Sequence, residues 1–115
     1  MTNSKAKGSA GERELSRFIF ETFGVSARRS QQYKGTADSA DLETGFEGIH
    51  FECKRVEKLN IHDAMRQATL DCGAAVPCVA HRRNRTDWLF TIRAKDLLAF
   101  VQKVNETMAK GESIG

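Results

Sequence analysis

The chain predicts an α/β domain in which a mixed central β-sheet is flanked by helices. Three observations predict it. Hydrophobic periodicity gives the order helix, three strands, helix, two strands, helix. The strands and helices do not alternate as a βαβαβ array, and no phosphate-binding glycine loop follows a strand, so a nucleotide cofactor is not expected. The 115 residues suit one hydrophobic core, with little left for a second.

The elements follow in order. Residues 1–10 are small, polar and basic, and read as a flexible arm that either orders on a partner or stays a tail. Residues 11–108 form the single domain, and 109–115 a frayed tail. The first helix is expected from about Ser9 to Phe23, with Leu15, Phe18, Ile19 and Phe23 on its buried stripe and Gly24 as its stop. Glu12 falls on or beside that stripe, and Glu14 and Arg13 lie further round. A favourable helix dipole is the plain account of Glu12, yet its face is the wrong one for a solvated charge.

Val25–Ser30 reads as a short strand ending in Arg28-Arg29-Ser30, followed by a polar loop over 31–40. A second strand starts near Leu42, and a turn over Thr44–Gly48 leads into a third over Ile49–Val56. Asn60 caps the next helix, with Asp63 three residues on, and Gly73 ends it. Its inward stripe is Ile61, Ala64, Met65, Ala68 and Cys72, with Gln67 alongside. Val76–His81 is a buried strand, Arg82–Asp87 a hairpin turn and Trp88–Ile92 the returning strand. A last helix over Lys95–Met108 is expected to bury Leu97, Leu98, Val101 and Val104.

Composition narrows the function classes. A net charge of +3 is mildly basic, and the arginines and lysines gather in a few clusters near turns. Cys53, Cys72 and Cys78 have neither metal spacing nor a paired framework, and read as reduced thiols of a cytoplasmic protein. The N-terminus has no apolar run, so no signal peptide is expected, and no stretch approaches ~18 apolar residues, so no membrane partner is expected either.

The chemistry concentrates between Asp41 and Lys54. In a strand, Ile49, Phe51 and Cys53 point one way, and His50, Glu52 and Lys54 point the other. An opposite-charge pair on a core strand is costly as a purely structural device. Carboxylates converging with a lysine are the parts of a site that holds a hard divalent cation and activates water. If the strands of Asp41 and Glu52 pair antiparallel, their carboxylates share one cation, with the backbone carbonyl of Cys53 as a further ligand. Lys54 would orient the attacking water, Glu12 would complete the acidic site, and Gln67 would hold the water or a phosphate oxygen. His50 shares the face of Glu52 but reads as supporting or structural, and Asp63, Asp71 and Asp87 are accounted for by caps and turns.

These residues carry a resemblance. KGSAGEREL with Glu12, the Arg28-Arg29-Ser30 strand end, Asp41, Glu52-Cys53-Lys54 and Gln67 resemble the PD-(D/E)XK nuclease superfamily. More narrowly, they resemble the archaeal-type Holliday junction resolvases and their phage relatives, from about Lys7 to Phe100. The family's proline before the aspartate is Ala40 here, and the aliphatic centre of its E-x-K element is Cys53. The missing proline leaves Asp38 as a rival to Asp41. Asp41 is favoured because Leu42 starts a strand. The resemblance implies a restriction-endonuclease-like core and a Mg2+-dependent endonuclease, with Mn2+ as a substitute. It implies catalytic residues Glu12, Asp41, Glu52, Lys54 and Gln67, and metal ligation by Glu12, Asp41, Glu52 and the Cys53 carbonyl. It also implies a homodimer acting on branched DNA in the cytoplasm, that of a host cell if the chain is phage-encoded. Lys7, Arg28, Arg29, Ser30, Lys34, Arg55, Arg82, Arg83 and Arg85 would then contact phosphates. A solvated hairpin tip is the alternative for Arg82–Arg85, and Tyr33 either touches DNA or fills its loop. Two other readings stay open. One is a nuclease of the same core acting on flaps, mismatches or duplex ends. The other is a DNA-binding module without activity, against which the intact acids and lysine argue.

Overall fold

The computed structural model describes residues 4–30 and 42–111. Helix α1 (Ser4–Phe23) is followed by strands β1 (Ala27–Arg29), β2 (Leu42–Thr44) and β3 (Ile49–Arg55). Helix α2 (Ile61–Asp71), strands β4 (Val76–Arg82) and β5 (Leu89–Ile92), a 3-10 turn (Ala94–Asp96) and helix α3 (Leu97–Gly111) complete the chain. The predicted order therefore holds. Helix α1 starts at Ser4 rather than Ser9 and so takes in part of the basic stretch expected as an arm. Gly24 and Gly73, both at positive φ (72° and 56°), end α1 and α2 as expected. Asn60 caps α2 by accepting a hydrogen bond from the Asp63 amide.

The main sheet has the order β3-β4-β5, with β3 parallel and β5 antiparallel to β4. Val76–Ala80 are all buried, which suits a central strand covered on both faces. β3 and β5 are the edges. Leu15 and Ile19 of α1 are wholly buried against Phe51 and Cys78, each stabilising the fold by about 1.5–3 kcal/mol. Phe18, Phe23, Phe46, Phe51, Trp88 and Phe90 extend this core through edge-on and tilted ring contacts. The opposite face is smaller: Val79 packs against Ala64 and Ala68 of α2, with Leu59, Ile61 and Met65 around them.

Two expectations are corrected. β2 does not pair with β3 among the described residues; it pairs antiparallel with β1 in a separate two-stranded sheet, Arg29 opposite Leu42. The reason lies in the turn. The Gly45 amide bonds to the Ser26 carbonyl, and Phe46 (4% exposed) then dives into the core, so the chain reaches β3 without a tight hairpin. The second correction concerns α3. Phe100, Val104 and Met108 pack on the core, while Leu97, Leu98 and Val101 are 54%, 82% and 44% exposed. Phe100, Val104 and Met108 repeat every four residues and form one stripe on the core, whereas Leu98 and Val101 fall well round the helix from it.

Candidate active site

Helix α1 and helix α2 cover opposite faces of β3, and the strand's alternation decides which residues meet which helix. Ile49, Phe51 and Cys53 face α1. Gly11 makes that contact close: a Cβ there would lie 2.7 Å from Arg55 Cβ and 3.7 Å from Cys53 Sγ. The Cys53 thiol is pushed up to about 12, first by burial and then by the carboxylates of Glu12, Glu14 and Glu52, with Lys54 opposing. It is a neutral thiol packed as a small hydrophobe, as is Cys78, which burial alone raises to about 12.

Glu52 stands in register with Val79, and so shares the α2 face with His50 and Lys54. Its side chain is 15% exposed. Lys54 Nζ lies 3.9 Å from Glu52 Oε2, and His50 Nε2 lies 3.5 Å from Glu52 Oε1. The C-terminal end of α2 reaches the same place. Ligand atoms of His50, Glu52 and Asp71 all lie within 4.8 Å of one another. Gln67, one helical turn before Asp71, donates to Asp71 Oδ2 at 3.0 Å. The fold thus brings Glu52, Lys54 and Gln67 together, with His50 and Asp71 beside them.

Asp71 is the member that sequence reasoning gave to a helix end. The signal that could have found it is its i, i+4 spacing from Gln67 on the α2 flank already singled out. Asp41 and its rival Asp38 lie outside the described residues, as do Tyr33 and Lys34. Leu42, the residue after Asp41, pairs with Arg29.

Glu12 is half-buried on the α1 side and bound by Arg29, whose Nε lies 2.7 Å from Glu12 Oε1. It is not in the cluster with His50, Glu52 and Asp71. Glu14, expected further round the helix, has a structural part: its Oε1 accepts from Arg82 at 2.6 Å and from Arg55 at 3.1 Å. Arg55 also bonds the Asn84 side chain, and Arg82 the Thr86 carbonyl. These two arginines therefore tie α1 to the ends of β3 and β4. Arg28 is exposed and paired with Glu43 across the β1–β2 ladder at 3.0 Å, Ser30 is half-buried, and Arg83 and Arg85 are exposed on the β4–β5 turn. Lys7 lies on α1.

The donor set fits a divalent cation: one imidazole nitrogen and two carboxylates converge from two rigid elements. No helix among the described residues is long and apolar enough to cross a membrane.

The fold is similar to that of Hjc, a Holliday junction resolvase from the archaeal hyperthermophile Archaeoglobus fulgidus. The TM-score is 0.50 and the identity 21%, over 75% of this chain and 72% of that one. The likeness bears out the expected fold, a mixed sheet with flanking helices. No protein-family model and no curated protein matches the sequence.

Proposed function

We propose that the protein is a divalent-metal-dependent DNA endonuclease that resolves four-way junctions by paired phosphodiester hydrolysis as a homodimer. The observation that carries this reading is the placement of Glu52 and Lys54 side by side on edge strand β3, faced by Gln67 and Asp71 of α2. It stands in a fold shared with a protein described as a Holliday junction resolvase.

The roles proposed for the residues follow from this reading. Glu52 is the central acid, with Asp41 and Glu12 as the family's further acids. A bound Mg2+ or Mn2+ would supply Lewis-acid stabilisation of the charge that builds on the scissile phosphate. Lys54, partly exposed and beside Glu52, orients the attacking water and offsets that charge. Gln67 fixes Asp71 and faces the reacting phosphate. Arg28, Arg83 and Arg85, which are exposed, and the half-buried Arg29 and Ser30 would contact DNA phosphates, as would Lys7 and Lys34 by the resemblance alone, while Arg55 and Arg82 hold the scaffold through Glu14. A two-fold dimer presents two sites to a two-fold substrate. The apolar side chains of Leu97, Leu98 and Val101 offer a surface for the second copy.

The test is cleavage of a fixed four-way junction, a flap and a linear duplex, with magnesium or manganese and with chelator. Paired symmetric nicks on the junction alone, abolished by chelator, are expected. Equal cutting of the linear duplex would assign the fold to a different nuclease activity.

A further inference from the structure

We propose that His50, Glu52 and Asp71 form one mixed nitrogen–oxygen metal site, and that this donor set selects manganese over magnesium. The inference rests on reading the Glu52 face as metal-dependent and goes beyond it by naming two ligands outside the E-x-K pattern.

Geometry supports the set. Two neighbouring ligands on one cation with bonds of about 2.1 Å sit roughly 3.0–3.5 Å apart. The His50 Nε2 to Glu52 Oε1 distance is 3.5 Å, and the Asp71 carboxylate closes the group within 4.8 Å. The His50 and Glu52 side chains are only 11% and 15% exposed, so those two ligands are already ordered, while Asp71 is exposed at the rim. Both stand on one face of a strand held in register by β4. Asp71 is set by the Gln67 hydrogen bond.

Electrostatics points the same way. Asp71 is the last residue of α2, where the helix dipole favours positive charge. Among the described residues, two carboxylates against the ammonium of Lys54 leave the spot net negative when His50 is neutral. The choice of ion follows from the donors. Magnesium prefers an all-oxygen octahedron with several waters, whereas imidazole nitrogen suits the first-row transition metals.

The test is manganese and magnesium titration of the full chain by calorimetry, with pulsed electron paramagnetic resonance of the manganese complex. Wild type is expected to bind manganese at least tenfold more tightly than magnesium, with a nitrogen coupling from the imidazole. His50→Asn should abolish that coupling and weaken manganese at least tenfold while changing magnesium affinity less than threefold. Asp71→Asn should weaken both ions. A wild-type manganese spectrum without nitrogen coupling, which needs no variant to fold, would overturn the proposal. So would a coupling that persists in His50→Asn. Junction cleavage run alongside separates the two ideas. If metal-dependent cleavage stands and nitrogen coupling is absent, only the ligand assignment fails. If coupling is present and no DNA is cut, the ligand assignment stands and the nuclease reading fails.

Discussion

Glu52 and Lys54 occupy the same face of β3 because a strand repeats every two residues, and their contact of 3.9 Å needs no tertiary adjustment. If this pair does the chemistry, Glu52→Gln and Lys54→Ala should each lower junction cleavage by at least about 100-fold. Binding of the uncut junction, measured by gel shift, should stay within about threefold, since phosphate contacts elsewhere dominate affinity. Full cleavage by Glu52→Gln would remove the assignment. His81 offers a separate test at this scale. Burial lowers its pKa, and its Nε2 contacts Thr91 Oγ1 at 2.8 Å. A depressed folded pKa means that the unfolded chain takes up the proton first. The stability contribution is therefore full above about pH 6.5 and is lost as pH falls below that value. Urea midpoints of His81→Asn should accordingly fall less steeply than those of wild type between pH 7 and 5.

At the scale of elements, the packing of α1 on β3 turns on one missing side chain. A Cβ on Gly11 would meet Arg55 Cβ at 2.7 Å, so Gly11→Ala must push the helix away from the strand. The expected cost is about 1–3 kcal/mol, read as a lower denaturant midpoint with an unchanged slope. The same shift would disturb Arg55, whose guanidinium joins Glu14 to Asn84. The sequence made the helix and its buried stripe of Leu15 and Ile19 legible through spacing, though not its start at Ser4. It did not reveal that Glu14 binds both Arg55 and Arg82, because an arginine's partner within the chain depends on which strand ends meet. The α2 cluster was half legible for the same reason. Gln67 was visible beside the apolar stripe, whereas Asp71 gained its place only when the end of α2 was laid over β3.

At the scale of the molecule, the exposed apolar side chains of α3 call for a neighbour. Leu97, Leu98 and Val101 form a patch that a helix buried along its whole length would not leave. If the second copy of the dimer covers it, Leu98→Glu should shift the sedimentation profile from dimer to monomer. Paired cuts on the junction should then become single nicks, while the circular dichroism spectrum stays unchanged. A variant that remains dimeric would place the interface elsewhere.

Local sequence is enough for the element order, the two faces of β3, the Asn60 cap and the pairing of Glu52 with Lys54. All of these follow from local periodicity, capping chemistry and spacing along one stretch of chain. Tertiary structure alone decided that β2 joins β1 instead of β3, that α3 presents leucines to solvent, and that Asp71 stands with His50 and Glu52. These outcomes depend on where Phe46 enters the core, which stripe of a helix meets the core, and which helix end crosses which strand. They are set by packing between distant segments, which no local pattern encodes.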